Sequence, residues 1–271
     1  VKSLERIPGY LYGIIIYQGR NAELSMGKPS SRRKILISFL LVLCLGVGGC
    51  RLFRFLEVKG QLGDFSENFI VSDHDSLRLA FKNPVLLSED IEWLMVYSPP
   101  VKTRVAADTE LWTYHLVKKY PGRKSEKGNF DLDMGMKLCQ ERLCEVVFPE
   151  RFTKYITKEV LGKVMGSVGG AEVRKLEKTS TAAVKSLEPK EIPNFSEVIE
   201  ILGRPYAKLN EEDGGVFAYK YRLREKTPKG KYIVFSLLLS FDEKTEKLKK
   251  LVLPLRSVRL TMNFEPDVAG R

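Results

Sequence analysis

Apolar and polar positions follow the same order of short runs twice along this chain. In the C-terminal half, Val198, Ile199, Ile201 and Leu202 mark one face of a short helix. Asn194 can cap it, and Glu197 stands three residues on, as a capping box requires. Gly203 supplies the stop and Pro205 forbids continuation. Phe217, Tyr219, Tyr221 and Leu223 then alternate with Lys220, Arg222 and Arg224, which predicts a half-buried strand. After the turn Thr227-Pro228-Lys229-Gly230, a second strand carries Ile233, Phe235, Leu237, Leu239 and Phe241 on one face. Asp242–Lys247 turns the chain and Leu248–Leu255 returns as a third strand.

The upstream copy begins at Ser88, which can cap a helix through Leu94 with Glu89 and Asp90 in its first turn. Pro99-Pro100 stops it. Trp112, Tyr114 and Leu116 alternate as Tyr219, Tyr221 and Leu223 do, 107 residues later. Phe130, Leu132, Met134, Met136 and Leu138 form the next strand, and Val146-Val147-Phe148-Pro149 matches Leu251-Val252-Leu253-Pro254 at an offset of 105. The fold class expected is therefore α+β: two tandem helix-plus-three-stranded antiparallel meander units, over residues 84–149 and 194–255.

Other segments fall outside the repeat. Leu52–Leu62, Asn68–Ser72 and Leu77–Lys82 read as additional N-terminal strands. Pro149–Gly166 reads as a helix, with Phe152, Ile156, Val160 and Val164 on its buried stripe. Gly169-Gly170 and the charged stretch Glu172–Pro193 read as an interdomain linker. The expected layout is a first domain over 50–166, a linker over 167–192, a second domain over 193–262 and a tail over 263–271.

The N-terminus reads as an address. Arg32-Arg33-Lys34 precedes the thirteen-residue run Ile35–Val47, interrupted only by Ser38 and Gly46. That is too short for an ordinary spanning helix of about 20 residues and has the layout of a secretory signal. It ends Val47-Gly48-Gly49-Cys50, which resembles the bacterial lipobox. The resemblance implies cleavage between Gly49 and Cys50, with diacylglycerol on the Cys50 sulfur and an acyl chain on its new amine. The alternative is an uncleaved signal anchor with an incidental cysteine. Met26 lies six residues before Arg32, so 26–49 is the expected signal peptide and 1–25 an upstream extension. Arg51 is not the Asp associated with inner-membrane retention, which favours the outer membrane, facing the periplasm.

This changes the meaning of the charge. The chain carries +11, but the seven basic and two acidic residues of 1–49 account for +5, leaving +6 on the 222 residues from Cys50. Basic residues there are interspersed with acidic ones, and no basic stripe with interleaved aromatics points to nucleic acid. At 44% apolar residues the chain can form a core. Two histidines exclude a multi-histidine metal site. Cys139 and Cys144 could be brought together by a hairpin and bridged in an oxidising periplasm; two buried thiols on a strand pair is the alternative.

Ile201-Leu202-Gly203-Arg204-Pro205, Tyr219-Lys220-Tyr221 and Leu237–Asp242 followed by Leu248 resemble the BamE (SmpA/OmlA) family. Its recurrent order is "LLGxP", an aromatic-x-aromatic strand and "FD" before the last strand. The resemblance covers about 70 residues of the second unit. It implies an outer-membrane lipoprotein, helices packed on a three-stranded sheet, and a role accessory to the β-barrel assembly machinery.

Candidate chemistry is sparse. Asp73-His74-Asp75 could hold a general base or metal ligand, but its neighbours have the composition of a turn. His115 falls on the opposite strand face from Trp112 and Tyr114. Asp131 and Asp133 share the polar face of one strand. Glu150, Lys154 and Lys158 read as a solvated helix face. No nucleophile elbow, P-loop, dinucleotide fingerprint or zinc spacing occurs. The expected function is non-enzymatic binding of envelope proteins, without cofactor or metal, on a membrane reached through the N-terminal lipid. A lipid-tethered ligand carrier or enzyme is the alternative; Trp112 and Tyr219 lining an open pocket with convergent polar groups would favour it.

Overall fold

The computed structural model describes residues 51–96, 101–122, 130–174, 176–211, 214–255 and 258–265. The predicted signal peptide, Gly49, Cys50, the upstream extension and Pro99-Pro100 lie outside them. Among the described residues, five α-helices accompany one mixed sheet of thirteen strands, so the chain is α+β.

The first described segment is helical over 51–63 (α1), followed by the short helix Phe65–Asn68 (α2). The strand expected at Leu52–Leu62 is thus corrected. Phe55, Val58 and Leu62 recur at three- and four-residue spacing and pack inward, while Leu52, Phe53 and Leu56 point outward. Apolar residues on both faces hid the helical period. The next two expected strands form as the hairpin β1 (Phe69–Ser72) and β2 (Arg78–Phe81).

Helix α3 (Ser88–Leu94) opens at Leu87, not at Ser88: the Asp90 carboxylate accepts the Leu87 N–H at 2.9 Å. Two strands follow as a hairpin, β3 (Val101–Ala106) and β4 (Thr109–Lys119), then β5 (Leu132–Cys139) and β6 (Arg142–Val147). The predicted helix Pro149–Gly166 is two pieces. A 3-10 turn, Glu150–Phe152, is separated from α4 (Lys158–Gly169) because Thr157 is extended and its hydroxyl caps Val160 N at 3.3 Å. Phe152 and Ile156 still pack on the core, and Val160 lies within it.

The predicted linker is also corrected. It contains β7 (Glu172–Arg174) and β8 (Thr179–Val184), and β8 pairs in parallel with the last strand. Ala182 and Val184 are buried, whereas Lys185, Ser186 and Glu188–Lys190 are exposed. The charged residues that suggested a linker follow a strand whose inward face is apolar.

Helix α5 (Phe195–Leu202) starts with the expected capping box: Asn194 Oδ1 accepts Glu197 N at 2.9 Å, and Glu197 Oε2 accepts Asn194 N at 2.7 Å. The strands β9 (Ala207–Glu211), β10 (Gly214–Lys226), β11 (Tyr232–Phe241), β12 (Leu248–Leu255) and β13 (Val258–Phe264) complete the chain. Asn263 and Phe264 therefore belong to a strand rather than a tail.

Strand order is β1-β2-β6-β5-β4-β10-β11-β12-β13-β8-β7, with β3 on β4 and β9 on β10. The two expected domains share this sheet. It is continuous because β4 pairs with β10, from Leu116 opposite Leu223 to Lys119 opposite Lys220. The helices lie on one face, and the main core draws on both halves, including Trp112, Tyr114, Tyr219 and Tyr221. A smaller cluster joins Leu62, Phe69, Leu77, Leu79 and Leu161.

Each of α3 and α5 is pinned to a hairpin turn by the same kind of bond pair. Ser88 N donates to Glu141 O at 2.8 Å and Leu143 N to Leu86 O at 2.8 Å. Phe195 N donates to Glu246 O at 3.1 Å and Leu248 N to Pro193 O at 2.9 Å.

Candidate functional site

A recess of about 420 Å³ lies between α3 and the β3–β4 hairpin. Strand alternation turns Lys102 and Arg104 of β3 and Glu110 and Trp112 of β4 into it, and α3 contributes Ser88 and Glu92. Trp112 is its buried floor; its Nε1 donates to Glu110 Oε2 at 2.8 Å. The Lys102 ammonium sits 3.9 Å from the indole centroid and 3.4 Å from Glu92 Oε1. The place at the start of α5 comparable to Ser88 holds Phe195, which stacks against Phe217 at 4.5 Å and Phe241 at 5.2 Å. A serine at the start of α3 cannot reach across in that way, which leaves the recess open.

The rim of this recess is an edge. All six residues of β3 are exposed, and among the described residues it pairs only with β4. Its backbone groups on the other side are available to an extended chain. Val101 and Val105 add exposed apolar surface at 46% and 60% exposure. Sequence reading missed β3, although Val101-Lys102-Thr103-Arg104-Val105 alternates cleanly.

The sheet face turned away from the helices carries a shallower depression of about 360 Å³ with Leu111, Thr113, Gly135 and Val147 at its base. One polar pair rims it, Arg78 with Glu145 at 3.2 Å. Beside it, His115 Nδ1 lies 2.5 Å from Asp133 Oδ1, directly across β4–β5. A His–Asp pair can hold one tautomer. Asp131 instead accepts Lys118 N at 2.8 Å, so the two aspartates do not act together.

The remaining candidates are dispersed. Asp73, His74 and Asp75 are exposed in the β1–β2 turn. Lys154 pairs with Glu200 at 2.6 Å on the surface, and Lys158 with Glu159 at 3.8 Å. Cys139 and Cys144 form a disulfide, with Cα atoms 5.8 Å apart. They are not directly opposed: Cys139 faces Arg142, and Cys144 occupies a bulge between residues paired to Lys137 and Leu138. Among the described residues, no group of three His, Cys, Asp or Glu is placed to hold a metal ion.

The buried polar groups are structural. Tyr114 and Tyr219 are wholly buried, and their hydroxyls make no hydrogen bond among the described residues. Burial raises both pKa values, that of Tyr219 to about 12. Lys118 is buried, donates to Leu202 O at the end of α5, and lies 4.7 Å from the Tyr219 ring. Two more donors reach that helix end, Tyr221 Oη on Leu202 O and Arg151 on Ile201 O, both at 3.3 Å.

Among the described residues, Asp90 is the most buried acid. Burial would raise its pKa, but hydrogen bonds from Arg54, Leu87 N and Arg51 outweigh that and hold it below the usual carboxylate range.

Comparison of the chain with protein families, with curated proteins and with solved structures finds no match in any of the three.

Proposed function

We propose that this protein is a lipid-anchored lipoprotein, held in the outer membrane through Cys50 and facing the periplasm, that binds other envelope proteins without catalysing a reaction. The observation that carries the binding part is β3. It is a wholly exposed edge strand over an aromatic-floored recess, the arrangement that accepts an extended partner segment as an added strand. The anchoring part rests on Arg32–Lys34, Ile35–Val47 and Val47-Gly48-Gly49-Cys50. The BamE-like pattern of Gly203, Pro205, Tyr219 and Tyr221 makes a component of the β-barrel assembly machinery the partner proposed.

We also read residues 84–149 and 194–255 as tandem copies. The paired bonds from Ser88 and Leu143, and from Phe195 and Leu248, support this reading. So does the order helix, hairpin strand, three-stranded meander in both. The second copy keeps its aromatic plug at Phe195; the first has Ser88 there and is the copy proposed to bind.

A ligand carrier is the second reading, favoured by Glu92, Lys102, Arg104 and Glu110 converging on the Trp112 recess. Tyr219 does not line it.

The test has two arms. Palmitate labelling of wild type, absent from Cys50→Ser, supports the anchor; unchanged labelling of Cys50→Ser ends it. A photo-crosslinking residue at Thr103 or Val105, used in intact envelopes, should capture discrete protein adducts that the same residue at Val234 does not. Absence of adducts at β3 together with a small molecule copurifying in the recess would overturn protein binding in favour of the carrier.

A further inference from the structure

Over residues 51–58, α1 is apolar on its outer side as well as its inner one, and its arginines turn inward. A helix on a water-exposed surface turns its apolar stripe to the core and its charges outward. Here the cations point inward. Arg51 and Arg54 both reach the buried Asp90, at 3.0 Å and 2.5 Å. The outward side carries Leu52, Phe53 and Leu56, exposed by 59%, 70% and 41%. At 100° per residue these three fall within about 100° of arc, opposite Arg54 and Val58. Apolarity fades along the same side through Glu57, Gly60 and Gly63, all exposed. The patch is therefore confined to the end of α1 nearest Cys50.

We infer that Leu52, Phe53 and Leu56 lie in the interfacial layer of the lipid bilayer, so that the body of the protein is held flat against the membrane rather than tethered at a distance. The inference rests on the proposal that the segment ending at Cys50 is the membrane attachment. Three observations select lipid as the occupant. The residue next to Cys50 is already fixed: Arg51 is bonded to Asp90, so no flexible spacer lies between the attachment point and the folded body. The apolar patch is continuous in sequence with the apolar run Ile35–Val47. The inward cations give the helix the polarity expected of one facing hydrocarbon on its outer side. Trp93 stands beside this end, 5.8 Å from Phe55 and 5.6 Å from the Arg51 guanidinium, and indoles favour the headgroup level.

Geometry and binding are linked by this placement. A body fixed by both acyl chains and an interfacial helix presents β3 in one orientation to the membrane, which suits a partner that is itself embedded.

The experiment uses the full mature protein, purified from membranes and reconstituted in phosphatidylethanolamine–phosphatidylglycerol vesicles containing brominated phosphatidylcholine. Tryptophan is placed by Phe53→Trp or, on the sheet face away from the helices, by Val234→Trp, each in a Trp93→Phe/Trp112→Phe background with thermal unfolding measured alongside. Trp at 53 should lose at least half of its emission to lipid bromine, and Trp at 234 almost none. Equal and weak quenching at both sites in fully palmitate-labelled, folded protein would overturn the inference while leaving the lipid anchor standing. Failure of palmitate labelling with strong quenching at 53 would overturn the lipoprotein reading and keep the interfacial helix, now next to a signal anchor. Concentration-dependent self-association that Phe53→Ser abolishes, without quenching, would assign the patch to a second copy and overturn the lipid assignment.

Discussion

Arg54 grips Asp90 with two hydrogen bonds, Nε to Oδ2 at 2.5 Å and Nη2 to Oδ1 at 2.7 Å. Arg51 Nε and Leu87 N complete four donors on one buried carboxylate. The cluster joins the first described helix to the cap of α3.

Asp90→Asn removes the negative charge and one of the two acceptor oxygens that two guanidinium groups share. Asp90→Asn should lower unfolding free energy by about 3 kcal/mol, the usual cost of breaking a buried pair from one side. The sign with pH follows from the lowered carboxyl pKa. The stabilisation is full above the unfolded value of about 4 and is lost as pH falls through the folded value. Denaturant titrations at pH 7 and pH 3 should therefore show the gap between wild type and Asp90→Asn shrinking at the lower pH. A gap independent of pH would refute the ionised cluster.

Lys118 tests whether the end of α5 needs its buried cation. Lys118→Met keeps the stem and removes the ammonium that donates to Leu202 O. Tyr221 still serves that carbonyl, so the expected loss is about 1–2 kcal/mol rather than more. A double change with Tyr221→Phe should cost clearly more than the two single changes added together, because the carbonyl then has neither side-chain donor.

Gly203 has φ of +70° and ψ of −170°, a backbone region that side chains avoid, and a Cβ there would stand 2.7 Å from the Phe130 ring. Gly203→Ala should destabilise by roughly 2–4 kcal/mol. Gly230 shares the positive φ but has nothing within 4 Å, so Gly230→Ala should cost only about 1 kcal/mol. Thermal unfolding of the two variants separates backbone strain from the ring contact.

The Cys139–Cys144 disulfide closes a very short loop. Replacing both cysteines by serine should cost about 2 kcal/mol by the chain-entropy relation. Wild type under reducing conditions should shift by a similar amount, read as a lower denaturant midpoint.

The sequence carried the local elements whose signals are chemical. Asn194, Glu197, Gly203 and Pro205 define both ends of α5, and period-two alternation identified β4, β5, β10 and β11 with Trp112, Tyr114, Tyr219 and Tyr221 inward. These follow from hydrogen bonds and sterics within a few residues. Helix α1 escaped notice because its outward side is as apolar as its inward side, which erases the period on which the reading depends. Strands β7 and β8 resembled a linker because strand pairing is a long-range event: β8 finds its partner in β13, some eighty residues away.

The open recess at Trp112 illustrates the same boundary. Trp112 and Ser88 were both visible as residues, but a vacancy exists only relative to what surrounds it, and Phe195 filling the comparable place became evident only in three dimensions. By itself, the sequence determined the cap and stop of α5 and the inward aromatics, because each is a matter of residue type at short spacing. Only the tertiary structure decided that the two halves share one sheet through β4 and β10, and that Arg51 and Arg54 turn inward to Asp90 while Leu52, Phe53 and Leu56 turn out. Those outcomes depend on which distant groups satisfy buried hydrogen bonds and charge, and no local pattern encodes that choice.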